Sequence, residues 1–201
     1  MALLYRADLR PSKLELLTAW LPGRPWFHGE PGAEVTRVAA CRFDDPAGEV
    51  GVETMLVRAG EGPVLHVPLT YRGAPLDGGA QWLVGTCEHS VLGTRWVYDA
   101  CGDPVYAAVL AAVIATGGTE AEEWIEGARR EPAMTLLGSG STDAPQITAV
   151  RRVDDGDPTV VETDGGVLRV VRVVGAASVD GDVLTGTVPG SAPVVLAALQ
   201  V

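Results

Sequence analysis

Lysine is almost missing from this chain. Among 201 residues Lys13 is the only one, and every other basic side chain is arginine. Any chemistry that needs a lysine on a strand therefore has a single candidate. Cysteine is also sparse: Cys41, Cys87 and Cys101 are odd in number and widely spaced, which excludes a disulfide framework. The histidines His28, His66 and His89 are scattered, and no cysteine or histidine pair has close ligand spacing, so no metal site is expected. Phosphate and cofactor fingerprints are missing as well. There is no Walker A motif, no dinucleotide fingerprint and no G-x-S-x-G, and the sequence carries no cofactor signal. No repeat of solenoid or propeller period occurs.

Positive charge is in short supply. Fifteen basic residues face 26 acidic ones, for a net charge of -11, which argues against nucleic acid and anionic membranes as partners. No apolar run is long enough to span a bilayer, and "MALLYRADLRPSK" lacks a basic segment followed by a sustained apolar one. With the reduced cysteines, these features lead us to expect a cytoplasmic protein.

What is present is ordinary globular material: 47% apolar and 20% charged residues, enough for one large domain or two small ones. Residues 2 to 7 read as a short strand. "PSKLELLTAWLP" reads as a helix, with Ser12 and Glu15 in capping-box spacing and Leu14, Leu17 and Leu21 on one face beside Trp20. Pro22 ends it, and "GRPWFHGEPG" is a turn-rich loop whose two aromatics tuck under a sheet.

Three strands follow, "EVTRVAACRF", "EVGVETMLV" and "PVLHVPLTYRG", separated by turn residues. The alternation in the second predicts a sheet with one face packed on the helix. "GDPVYAAVLAAVIATGG" is the strongest helix, with Asp103 as N-cap, Pro104 at the first position and a glycine pair at the end. "TEAEEWIEGARRE" opens with capping-box spacing, Thr119 to Glu122, and predicts a second helix packed beside it. "GSGSTDAP" reads as a linker or mobile loop, since a phosphate cradle on "GSGS" would need a following lysine and helix that the sequence does not supply. From about residue 145 the chain is strand-like, with "DDGDP", "TDGG" and "VDGD" as hairpin turns. The expected fold is α+β: a curved antiparallel sheet on an N-terminal helix, a helical pair, and a C-terminal antiparallel β segment. The expected organisation is residues 1–137 as one α+β domain and 138–201 as a β-rich segment that extends it or stands alone.

Reactive side chains concentrate in "GTCEHSVLGTRWVYDACGDP", residues 85 to 104. Read as a hairpin with a four-residue loop, "VLGT", it places Cys87, His89, Trp96 and Tyr98 on one face and Glu88, Arg95 and Asp99 on the other. Residues two apart along a strand sit about 6.5 Å from each other, whereas a nucleophile and its base must approach to about 3 Å. No third group orients the Cys87–His89 pair, and the two aromatics beside it suggest a core. The opposite face suits a structural ion network, or a rim that binds a sugar through carboxylates and an arginine fork. With nearby aromatics, the candidate ligand-binding set is Trp26, His28, Trp82, Glu88, Arg95 and Asp99.

Two elements resemble the N-terminal cap of bacterial maltokinases. One is a W-L-P-x-x-x-W-aromatic-x-G pattern met by Trp20, Leu21, Pro22, Trp26, Phe27 and Gly29. The other is a Y-D-A…D-P pattern met by Tyr98, Asp99, Ala100, Asp103 and Pro104. The resemblance covers roughly residues 3 to 116 and implies a cystatin-like unit, a curved sheet around one helix. The kinase lobes are not represented here. There is no H-x-D…N catalytic loop, no strand lysine and no DFG-like aspartate, so no catalytic residue transfers. The expectation is a stand-alone, non-catalytic interaction or regulatory module linked through the resemblance to trehalose, maltose or glycogen metabolism. Its partner would be a protein or a second copy. A small-molecule or carbohydrate-binding protein is the alternative, and an enzyme using Cys87 comes third.

Overall fold

A computed structural model describes residues 2–4, 8–30, 32–125, 127–176 and 178–201. The protein is mostly β, and the strands fall into three sheets. The strands of the first half are β1 (Ala2–Leu4), β2 (Leu9–Arg10), β3 (Val35–Phe43), β4 (Gly51–Ala59), β5 (Val64–Arg72), β6 (Leu83–His89) and β7 (Gly93–Asp99). Those of the second half are β8 (Glu123–Ile125), β9 (Ala128–Arg130), β10 (Thr135–Gly138), β11 (Val150–Asp154), β12 (Thr159–Thr163), β13 (Val167–Val170), β14 (Asp182–Thr187) and β15 (Val194–Gln200). The helices are α1 (Lys13–Trp20) and α2 (Pro104–Thr116). Of the strand expected over residues 2 to 7, residues 5 to 7 lie outside the described residues.

The first sheet is antiparallel and curled, in the order β2-β6-β7-β5-β4-β3. Its α1 starts as the sequence dictates: the Ser12 side chain accepts from the Glu15 amide, and the Glu15 carboxylate accepts from the Ser12 amide. Leu16, Leu17, Trp20 and Leu21 from this end of the chain bury against Met55, Val57, Val67 and Val97 on one face of the sheet. The other face is covered too. Val52 and Leu56 of β4 pack with Tyr106, Leu110 and Ile114 of α2. β4 is buried almost throughout, so the alternation read in its sequence distributes side chains between two cores rather than between core and water.

α2 is apolar on all sides because it lies between two sheets. Across it stands the second six-stranded sheet, ordered β10-β14-β15-β13-β12-β11, which contributes Leu136, Val161, Leu168, Leu184 and Leu196. This answers what the C-terminal strands do: they build their own sheet. A short link joins the two sheets, since Leu65 of β5 bridges Val173. "DDGDP" and "TDGG" turn between paired strands, as expected. "VDGD" does not, because β14 pairs with β10 and β15 and not with β13.

The helical pair is not formed. "TEAEEWIEGARRE" instead carries the β8–β9 hairpin, and β8 also pairs in parallel with β1. Its capping-box residues have other partners, Thr119 Oγ1 donating to Glu120 O at 3.4 Å and Glu122 pairing with Arg129 at 3.4 Å, and the residues between them are tied elsewhere. Glu120 accepts from the Leu136 amide at 2.7 Å, and the Ala121 amide donates to Arg42 O at 2.8 Å, extending the β3 edge. Gly127, at φ 81°, supplies a turn conformation that a helix interior does not use.

"GSGSTDAP" is fixed rather than mobile. The amides of Gly140 and Thr142 donate to Ile114 O and Ala115 O, each at 2.9 Å, and so satisfy the last carbonyls of α2. A Cβ on Gly138 would lie 2.1 Å from Val113 O, which is why small residues stand there.

Candidate functional site

The β6–β7 hairpin turns earlier than its sequence suggests. His89 pairs with Gly93, Glu88 with Thr94 and Cys87 with Arg95. Three residues form the loop, and Gly93 takes the left-handed conformation at φ 71°. The shift moves Arg95 onto the face of Cys87 and separates it from Glu88. His89 is a turn residue here, its Nδ1 accepting from the amides of Val91 at 3.2 Å and Leu92 at 3.1 Å. Burial pushes the Cys87 thiol up. These features withdraw the thiolate and the free imidazole that a dyad would need.

The six candidate ligand residues divide among several places. Glu88 is exposed and accepts from Thr94 Oγ1 at 2.7 Å. Arg95 donates to Leu92 O at 3.0 Å. His28 is exposed in its loop, and Trp82 packs flat on Gly102, where a Cβ would lie 2.1 Å from the ring. Only Trp26 and Asp99 come together, and they meet inside the protein around Arg172.

Arg172 is fully buried. Its Nη2 donates to Asp99 Oδ2 at 2.7 Å and to Cys101 Sγ at 3.1 Å, and its Nε donates to Thr159 Oγ1 at 2.7 Å. The guanidinium lies 4.8 Å from the centre of the Trp26 ring. Trp26 Nε1 in turn donates to Asp155 Oδ1 at 2.8 Å. Burial alone would favour loss of the guanidinium proton, but Asp99 outweighs it and the pKa is pushed up. Next to this cluster the His66 amide donates to Arg172 O at 2.8 Å, and Nδ1 donates to Val171 O at 3.1 Å. Burial, with repulsion from Arg172, lowers the His66 pKa to about 3 and keeps the ring neutral. The bonds to Asp99 and Cys101 and the contact with Trp26 join the second half of the chain to the first, while the bond to Thr159 stays within the second. The Asp103 side chain does related work at α2: it caps the Val105 amide at 2.9 Å, accepts from Thr70 Oγ1 at 2.8 Å and takes a two-pronged bond from Arg72.

A second charged cluster, unlike the first, opens to solvent. It is a basin of about 100 Å³ at the N-terminal end of α1, lined by Lys13, Arg37, Arg42, Glu53, Glu123 and Arg130, with Ala40 and Ala133 between them. Glu53 forms the floor. Its Oε2 accepts from Lys13 Nζ at 2.6 Å and from Tyr71 OH at 2.5 Å. Burial alone would raise the Glu53 pKa, but Lys13 and Arg42, with the hydrogen bonds from Lys13 and Tyr71, bring it below the usual carboxylate value.

Sequence reasoning singled out Lys13 but missed its neighbours, for two structural reasons. The first is a bulge in β3. Arg37 pairs with Val57 and Ala39 with Leu56, so Val38 is an extra residue, turned outward and 42% exposed. The bulge puts Arg37 on the same face as Ala40 and Arg42, opposite Met55 and Glu53. The second is the β8–β9 hairpin, which sets Glu123 opposite Arg130 at 3.4 Å.

No helix among the described residues is long and apolar enough to cross a membrane. A search of curated proteins returns no match to the chain. The polar residues that organise the first sheet fall within a stretch that a family model does recognise: residues 20–103 match the maltokinase N-terminal cap domain.

Proposed function

We propose that this protein is a non-catalytic cap-like module that acts by docking, on a partner protein or on a second copy, and serves trehalose, maltose or glycogen metabolism. In this reading the curled sheet with α1 follows a cystatin-like plan. Residues 1–137 form the cap-like domain, and 138–201 extend it. The single observation that carries the proposal is where Trp26, Asp99 and Asp103 of the two cap-like sequence elements go. They hold α2 and the C-terminal sheet in place rather than converging on a cleft. Binding then falls to the outer surface. There the β6–β7 tip presents Val91 at 56% exposure and Leu92 at 44%, two apolar side chains side by side.

Sedimentation velocity tests the reading, with the chain run alone and mixed with a maltokinase. A heavier species in either run, lost on V91E/L92E substitution, is the expected result. A chain that stays monomeric in both runs, or that transfers phosphate from ATP to maltose, overturns it.

A further inference from the structure

We propose that the basin beside Lys13 is a binding site for a compact phosphoryl dianion, either inorganic phosphate or the phosphate group of a small metabolite. The site goes beyond the docking reading, since a module that binds protein need hold no anion. Four cations face two carboxylates in the lining, in a chain whose net charge is -11. Both carboxylates are already engaged, Glu53 by Lys13 and Tyr71, and Glu123 by Arg130. The guanidiniums of Arg37 and Arg42 make no hydrogen bond or ion pair among the described residues. They stand on one face of one strand only because the β3 bulge turns Arg37 onto the face of Arg42. A bulge that re-aims a charged side chain toward a pocket is a local distortion that calls for a reason.

The remaining excess of two positive charges selects the ligand's charge. A phosphoryl group carries about -1.5 to -2 at neutral pH, whereas a single carboxylate would leave half of the excess uncompensated. Two arginine forks match the oxygens of a phosphoryl group, each donating a pair of N–H bonds. Size agrees as well. A basin of about 100 Å³ that opens to solvent holds several waters and has room for a phosphoryl head. Glu53 holds the Lys13 ammonium in the lining through the 2.6 Å bond, so that its charge adds to the field of the basin.

Isothermal titration calorimetry on the full chain at low salt is the test, with inorganic phosphate, glucose 1-phosphate and acetate as separate probes. Phosphate and glucose 1-phosphate are expected to bind saturably at one site, and acetate is not. Equal affinity for the two phosphates means that the free anion suffices, and tighter binding of glucose 1-phosphate means that a metabolite is read; both support the site. Arg42→Gln and Arg37→Gln should each weaken binding by about ten-fold or more, as expected for loss of a charge-assisted bond. Arg151→Gln, on the exposed face of β11, should leave binding unchanged. Arg37 is exposed, so its variant keeps the test valid even if Arg42→Gln lowers stability. The proposal is overturned if neither phosphate binds, if acetate binds equally well, or if the three arginine variants behave alike.

Discussion

Arg172 and Arg42 are both arginines set beside an acidic residue, yet they sit in opposite environments. Arg172 has no contact with water and shares its charge among Asp99, Thr159, Cys101 and the Trp26 ring. Arg42 faces Glu53 across a strand pair, but Glu53 is already bonded to Lys13 and Tyr71. In a dry interior an unpaired charge costs several kcal/mol, so partners gather until nearly every group is satisfied. At a wet rim water solvates what the protein leaves over, and a surplus of one sign persists at little cost. An abundance of polar contacts therefore marks the structural cluster. Within the dry cluster Arg172 Nη1 still lacks a partner among the described residues, whereas in the open one two whole guanidiniums do, and that surplus is the one a ligand can reach.

The largest expected effect breaks the dry cluster. Asp99→Ala strands the buried Arg172 charge and should lower stability by about 3–5 kcal/mol, read from the urea midpoint. Replacing both, Asp99→Leu with Arg172→Met, should recover much of that loss, because the penalty lies in the unpaired charge. Next comes acidification. His66 has its folded pKa lowered from 6.5 to about 3, so the unfolded chain binds the extra proton between these values. Stability is then full above about pH 6.5 and falls as the pH drops. At about 1.4 kcal/mol per unit the loss should reach about 2 kcal/mol between pH 7 and pH 5. The His66→Gln variant should show a flatter profile over that window.

Gly138→Ala probes the seat of α2. Its Cβ would meet Val113 O at 2.1 Å, and a cost of about 1–3 kcal/mol is expected from denaturant unfolding. The smallest effect belongs to the hairpin surface. Glu88→Ala removes one exposed bond to Thr94 and should change stability by no more than about 0.5 kcal/mol. A loss of several kcal/mol there would mean that the hairpin face is not the solvated surface described above.

Local rules reached some of this directly. Ser12 and Glu15 announced α1, Asp103 and Pro104 announced α2, and alternating residues located β3 to β7 within a few positions. Where the reading failed, the deciding contact was distant in sequence. The acidic-to-basic run from Thr119 satisfies helix rules, but an edge at Arg42, a strand at Ala2–Leu4 and an amide at Leu136 recruit it as a hairpin. "GSGS" looks mobile until α2 is known to end against it. Asp99 was legible as an important carboxylate, while its partner Arg172 lies 73 residues away with no local mark. The basin shows the same limit. Only the count of lysines hinted at it, because a bulge in β3 does not show in a pattern of alternation.

Amide hydrogen exchange tests most directly the claim that the dry cluster joins the two sheets. The amides of Met55 in β4, His66 beside Arg172 and Leu168 in β13 should all exchange with one free energy, that of global unfolding, because the sheets open together. Exchange of Leu168 at a distinctly lower free energy, with Met55 still protected, would show that the C-terminal sheet opens alone and that the cluster around Arg172 does not hold the molecule together.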